Sequence, residues 1–141
     1  MGVKCDIIVF HCMDPRLYGK IKEWMNDQGF ACEYFDRVSI AGSTMDLVHG
    51  PHQVREFLLK QLVAARQLHS INHVLLFHHS DCGAYSMTCN HSSLEEERAC
   101  QLHDMHKAEI IIRSEFPDLD VTKVWITINN QSHAVESFEV V

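Results

Sequence analysis

The chain has 141 residues, 46% of them hydrophobic and 22% charged, and its net charge is −7 with histidine neutral. This composition is ordinary for a single soluble domain, which we expect to span residues 1–141. An acidic balance without a basic cluster argues against nucleic acid and anionic membranes as partners. No apolar run approaches the roughly 18 residues of a membrane span. The sequence therefore predicts a protein that binds neither nucleic acid nor a membrane.

Continuous apolar runs alternate along the chain with segments whose apolar residues recur at helical spacing, and Gly, Pro and Asn lie between them. Apolar runs of four to eight residues indicate buried strands, and apolar residues at helical spacing indicate amphipathic helices. Gly29 ends the first helix, and Pro51 suits the first turn of the second. The predicted elements, in chain order, are a strand at 4–11, a helix at 16–28, a strand at 31–40, a helix at 51–69, a strand at 73–79, a helix at 93–116, and strands at 121–128 and 134–141.

This alternation predicts an α/β fold with right-handed crossovers and a mostly parallel sheet. We expect the strand order 2-1-3-4, a fifth strand added antiparallel at the edge, and helices on both faces. The first and third strands then flank the topological switch point. Folds of this class bind ligands there, outside the carboxyl ends of the strands.

Two short motifs follow the first and third predicted strands, Cys12–Leu17 and His78–Gly83. They place Cys12, His79 and Cys82 at two adjacent strand ends. Two thiolates and an imidazole form the ligand set of a zinc site whose fourth position is left for water or substrate. The alternative is a pair of buried, inert thiols beside a core histidine. The convergence of three ligands on the switch point favours zinc.

The residues that flank this site allow two interpretations. Asp14 precedes a proline and a helix, which is typical of a helix N-cap, and Arg16 suits an exposed first turn. Beside a metal, the pair instead indicates a catalytic carboxylate held by a guanidinium, which we favour. Cys89 and His91 offer an accessory metal site, but we expect them to be surface residues.

The other cysteines bear on the cellular compartment. The chain has six cysteines, and residues 1–6 enter a strand without the apolar core of a signal peptide. We therefore expect a cytoplasmic protein with reduced thiols, in which cysteine beside histidine indicates metal binding. Cys5, Cys32 and Cys100 are then assigned to the core.

At these motifs the sequence resembles the β-class carbonic anhydrases. Cys12–Leu17 matches that family's first zinc motif, and His78–Gly83 matches the second. The order of strands and helices fits along nearly the whole chain, most closely that of short forms without an N-terminal helical arm. The resemblance implies zinc on Cys12, His79 and Cys82, a catalytic dyad of Asp14 and Arg16, and a homodimer. It also implies a closed, inactive state in which Asp14 leaves Arg16 and binds the zinc.

One loop departs from the family pattern. Where the family has Arg-Asn-Ala-Gly after the second strand, this chain has Ser39-Ile40-Ala41-Gly42. In the family that loop helps to shape the substrate pocket and the dimer contact. We expect a narrow pocket here, suited to a small apolar substrate and lined by Ala41, Gly42 and Gly83.

These observations predict a carbonic anhydrase that hydrates carbon dioxide reversibly to bicarbonate by a zinc-bound hydroxide, since zinc lowers the pKa of its water toward roughly 7. One alternative is a related hydrolase that acts on carbonyl sulfide or carbon disulfide. Another is a zinc-bearing domain without catalysis, used for binding or regulation. A redox thiol protein is a distant alternative because the chain has no Cys-x-x-Cys motif.

Overall fold

The computed structural model describes residues 4–30 and 32–141, which form a five-stranded sheet with helices on both faces. The strands are β1 (Lys4–His11), β2 (Tyr34–Ser39), β3 (His73–His79), β4 (Asp120–Ile128) and β5 (Val135–Val140). The α-helices are α1 (Tyr18–Asp27), α2 (Met45–His49), α3 (His52–His69) and α4 (Leu94–Glu115), and a short 3-10 helix covers Tyr85–Met87.

The strand order is β2-β1-β3-β4-β5, and β5 pairs antiparallel with β4 while the other pairs are parallel. The predicted α/β class, order and edge strand are confirmed. The helix α2 was not predicted, because five residues are too few to show a helical period. Pro51 is the N-cap of α3 rather than a residue of its first turn. Residue 31, where the second strand was predicted to begin, lies outside the described residues.

Both faces of the sheet are buried, and this explains why its strands read as continuous apolar runs. In β1, Val9 packs into one core and Phe10 into the other, because successive side chains point to opposite faces. Helix α1 covers the first face, and α2, α3 and α4 cover the second. The chain therefore crosses from one face to the other between β1 and β3, and the predicted switch point lies between their carboxyl ends.

Four cysteines form disulfides, Cys5 with Cys32 and Cys89 with Cys100. The expectation of reduced thiols is wrong for these four, and Cys89 is a buried residue rather than a surface one. The pairs lie 27 and 11 residues apart, so only the folded chain brings their Cα atoms to 5.5 and 6.3 Å. In the described part of the chain, no helix has the length and apolarity needed to cross a membrane.

Candidate metal centre

Cys12, His79 and Cys82 meet at the switch point, where their candidate ligand atoms all lie within 4.8 Å of one another. Cys12 directly follows β1, His79 is the last residue of β3, and Cys82 lies on the turn beyond it. The side chains are buried, with relative exposures of 6%, 1% and 4%. β1 and β3 are parallel neighbours, and therefore their carboxyl ends present these residues together.

The two thiols interact directly, with their Sγ atoms 4.0 Å apart. The contact with Cys82 lowers the pKa of Cys12, helped by the backbone N–H groups of Gly42 and Asp14. The same contact, reinforced by burial, raises the pKa of Cys82, against the N–H groups of Tyr85 and Ala84. Two like charges cannot both be stable here by themselves. A divalent cation between the sulfurs would remove that conflict.

His79 is oriented as a metal ligand. Its Nδ1 donates to the carbonyl of Ser80 at 2.6 Å, which leaves Nε2 as the acceptor of the neutral ring. Nε2 is buried, and no described residue bonds to it. Two sulfurs about 2.3 Å from a tetrahedral zinc would lie about 3.8 Å apart, close to the observed 4.0 Å. The donor set and its spacing therefore fit zinc.

The loop after β2 closes the site on the β1 side. Gly42 has φ +75°, and a Cβ there would lie only 2.8 Å from the Cβ of Met45. Glycine is therefore needed at this position, where its N–H also interacts with the Cys12 sulfur. Ala41 and Gly83 are exposed beside the cluster. Contact between these three residues and a substrate stays a prediction.

Asp14 and Arg16 form a close ion pair beside the cluster. Asp14 Oδ1 accepts from the backbone N–H and the Nε of Arg16 at 2.9 and 3.0 Å, and Oδ2 accepts from Nη2 at 2.7 Å. These bonds to Arg16 lower the pKa of Asp14, so the carboxylate stays ionised. The N-cap of α1 is Leu17, so Asp14 does not cap α1 itself; its Oδ1 instead caps the turn that leads into α1, through the N–H of Arg16.

A buried polar face of α4 supports the ligands and was missed in the sequence. Gln101 donates to the carbonyl of His79 at 2.9 Å, and Glu97 accepts from the N–H of Cys82 at 3.3 Å. His78, whose pKa burial lowers to about 4, donates to Gln101 at 3.1 Å. Both α4 residues occupy core positions four apart. A polar pair at apolar spacing was the signal that could have revealed them.

A second buried carboxylate on α4, Asp104, bonds the segment that follows Cys82. It accepts from the hydroxyl of Tyr85 at 2.9 Å and lies 2.7 Å from Nε2 of His49. Burial raises the pKa of Tyr85, so the phenol stays protonated as the donor. Helix α4 thereby fixes the start of the short 3-10 helix, where the N–H groups of Ala84 and Tyr85 interact with the Cys82 sulfur.

Comparisons with known proteins match this chain to one protein family and to two relatives. Residues 3–136 match the model of a protein family described as "Putative carbonic anhydrase". Uncharacterized proteins of Rickettsia conorii and Rickettsia bellii are each 28% identical to this chain over 118 residues, or 81% of it. The aligned region covers 63% of the first protein and 71% of the second. The chain thus spans less than two thirds of the length of the first relative.

Proposed function

We propose a function from one premise: the chain belongs to the carbonic anhydrase-like family that matches residues 3–136. On that premise, it catalyses the reversible hydration of carbon dioxide to bicarbonate with zinc held by Cys12, His79 and Cys82. The observation that carries the proposal is the meeting of these three buried ligands beside an ionised carboxylate. When bound, zinc would act as a Lewis acid and make water acidic enough to be a nucleophile near neutral pH.

The role of Asp14 follows from its ionisation and its neighbours. An ionised carboxylate can only accept hydrogen bonds, so Asp14 could accept one from the attacking water in addition to those from Arg16. Arg16 occupies Oδ1 through its backbone N–H and Nε, and it occupies one side of Oδ2 through Nη2, so the remaining acceptor position lies on Oδ2. Asp14 would therefore orient the nucleophile, and Arg16 would orient Asp14.

A second candidate function rests on the altered loop after β2. Ser39 and Ile40 stand where the family has Arg and Asn, so two polar side chains near the site are replaced by a hydroxyl and an apolar group. In this candidate the zinc centre serves binding or regulation without catalysis. Hydrolysis of carbonyl sulfide or carbon disulfide remains a third candidate, because the same ligands and dyad would serve attack on those carbons.

The deciding experiment is a stopped-flow assay of carbon dioxide hydration by the zinc-loaded protein from pH 6.5 to 9. Parallel assays use carbonyl sulfide and carbon disulfide. Cys82→Ser serves as the control that loses a ligand, and Cys32→Ser as the control that changes a cysteine away from the site. Hydration by the parent and by Cys32→Ser, but not by Cys82→Ser, supports the proposal. Stoichiometric zinc without turnover of any of the three substrates would favour the binding module.

The assembly we propose is a homodimer. Strand β2 lies at an edge of the sheet, and its unpaired backbone groups would be covered by a second copy. Light scattering should then give about twice the chain mass of 16.2 kDa. A particle of 16.2 kDa at every working concentration would contradict it.

The cytoplasmic location stays a prediction, and the two disulfides count against it. Disulfides persist mainly in oxidising compartments, whereas cytosolic thiols are kept reduced. Thiol titration of the protein in freshly lysed native cells would decide: two free thiols per chain indicate an oxidising environment, and six indicate a reducing one.

A further inference from the structure

The guanidinium of Arg16 has acceptors on two sides. On one side, Asp14 accepts hydrogen bonds from Nε and Nη2. On the other side, Nη1 donates to Asp81 Oδ2 at 3.1 Å and to the carbonyl of His133 at 3.4 Å. Nη2 also donates to the carbonyl of Asp81 at 3.3 Å. Arg16 is therefore fixed by groups that do not depend on Asp14.

Both outer partners of Arg16 have an unusual backbone. Asp81 has φ 56° and His133 has φ 58°, the left-handed region that residues with a Cβ rarely adopt. The turn that carries His133 is closed by Asn129, whose Oδ1 accepts from the N–H groups of Gln131 and Ser132. Such conformations persist where the surrounding structure holds them, often at functional sites. The two carbonyls that meet Arg16 are thus held in place by their own segments.

Asp14 has a competing position that this arrangement would disfavour. Its carboxylate follows Cys12 by two residues, and its backbone N–H faces the Cys12 sulfur. Carboxylate oxygen is itself a zinc ligand, so Asp14 can take the position that the nucleophile needs. A freely mobile Arg16 would move with Asp14 or turn into solvent. An anchored Arg16 keeps a binding partner for Asp14 at a fixed place away from the metal.

From this geometry we infer that Asp81 is a positioning residue: with the carbonyl of His133 it anchors Arg16 and so keeps Asp14 off the metal. The inference rests on the proposed function, because it concerns the same zinc site. Asp81 is 56% exposed, and an exposed ion pair contributes little to fold stability. Its loss should therefore alter the metal site while leaving the unfolding transition almost unchanged.

The test compares Asp81→Gly with Asp81→Asn in the cobalt-loaded protein. Glycine keeps the left-handed backbone without strain but removes the acceptor, whereas asparagine tolerates the same backbone and keeps one acceptor oxygen for Nη1. We expect Asp81→Gly to shift the visible cobalt absorption through added Asp14 coordination. Asp81→Asn should retain most of the parent spectrum. In the Asp81→Gly/Asp14→Asn double variant the shift should disappear, giving the spectrum of Asp14→Asn alone.

Two further variants protect the test. Asp81→Ala repeats the measurement if glycine loosens the loop enough to lose cobalt. Asp118→Ala removes the exposed partner of Arg66 away from the site, and it should leave the cobalt spectrum unchanged. An unchanged spectrum in both Asp81→Gly and Asp81→Ala overturns the inference, as does a shift that survives in the double variant. In an active parent, Asp81→Gly should also lower kcat roughly tenfold, less than the 10²-fold that a displaced reacting group can cost. If the parent shows no turnover but Asp81→Gly still shifts the cobalt spectrum, the proposed function is rejected and this inference is retained.

Discussion

Two pairs of cysteines at opposite ends of the sheet have different chemistry. Cys5, near the start of β1, forms a disulfide with Cys32, whereas Cys12, just beyond the end of β1, faces Cys82 as a free thiol at 4.0 Å. The free pair is accompanied by His79 and by backbone N–H groups directed at each sulfur. Residue type alone therefore does not decide between a structural bond and a metal site. The groups around the sulfurs decide it.

The polar groups of the two ends differ in the same way. At the amino end, Asn72 donates to the carboxylate of Asp6 at 3.0 Å, and its carbonyl accepts from Asp120. At the carboxyl end, Ser43 Oγ and His79 Nε2 are buried with no hydrogen-bond partner among the described residues. An unsatisfied buried polar atom costs free energy and requires an explanation. A bound metal would explain His79, so the difference separates a structural end from the end that carries the candidate metal site.

The largest effect should come from removing a metal ligand. Cys82→Ser and Cys12→Ser should each lose most bound zinc, because serine cannot replace a thiolate in a three-ligand site. Cys32→Ser, at the other end of the same sheet, should keep it. Elemental analysis after dialysis measures the occupancy. Full zinc in both Cys12→Ser and Cys82→Ser would remove the distinction between the two cysteine pairs.

Removing the structural disulfide should weaken the fold without emptying the site. The Cys5→Ala/Cys32→Ala variant opens a link across 27 residues, for which the chain-entropy relation gives a loss of about 3.5 kcal/mol in the free energy of unfolding. The Cys89→Ala/Cys100→Ala variant opens a link across 11 residues and should lose slightly less free energy of unfolding. Urea denaturation of the zinc-loaded proteins provides the comparison. Loss of zinc from Cys5→Ala/Cys32→Ala would show that the two ends are coupled.

The dyad should affect chemistry without affecting the fold. Asp14→Asn keeps an Oδ1 for the backbone N–H of Arg16 but loses its charge, so turnover should fall on the order of 10²-fold. Zinc occupancy and the thermal midpoint should stay close to those of the parent. Arg16→Ala should also lower turnover. Turnover in Asp14→Asn equal to that of the parent would show that the carboxylate only shapes the turn before α1.

The smallest effect should appear at the amino end as a pH dependence of stability. Burial lowers the pKa of His73 below its usual 6.5, and its Nε2 lies 2.8 Å from the hydroxyl of Thr122. The unfolded chain therefore binds a proton more readily than the folded one. The contribution of neutral His73 to the free energy of unfolding is fully present above about pH 6.5. It is lost as the pH falls below that value toward the lower pKa of the folded state.

His73→Gln removes this titration and should make the loss of stability between pH 7 and pH 5 shallower than in the parent. Urea midpoints at half-unit pH steps measure it, with zinc loading held constant. His52→Gln, on an exposed residue of α3, is the matched control and should leave the slope unchanged. An identical slope in His73→Gln would mean that other groups carry the acid sensitivity.

The sequence anticipated the core of the site because that core depends on local patterns. The apolar runs before Cys12 and His79 marked two buried strands, and the rule for parallel crossovers made those strands neighbours. The same reasoning failed for Cys89, whose partner Cys100 lies on α4 beyond an irregular segment. Nothing in the spacing of six cysteines specifies which of them meet. The buried face of α4 was also missed: the spacing of Glu97 and Gln101 fits core positions, but their partners, the N–H of Cys82 and the carbonyl of His79, lie on another element.

The sequence by itself determined the order of the elements, the parallel sheet and the convergence of Cys12, His79 and Cys82, since all three follow from periodicity and chain topology. Only the tertiary structure decided the environment of these residues. Arg16 meets Asp81 across 65 residues and the His133 carbonyl across 117, and both contacts depend on left-handed backbones that no local pattern predicts. Periodicity records which face of an element is buried, whereas contacts between distant turns are set by how the finished sheet brings those turns together.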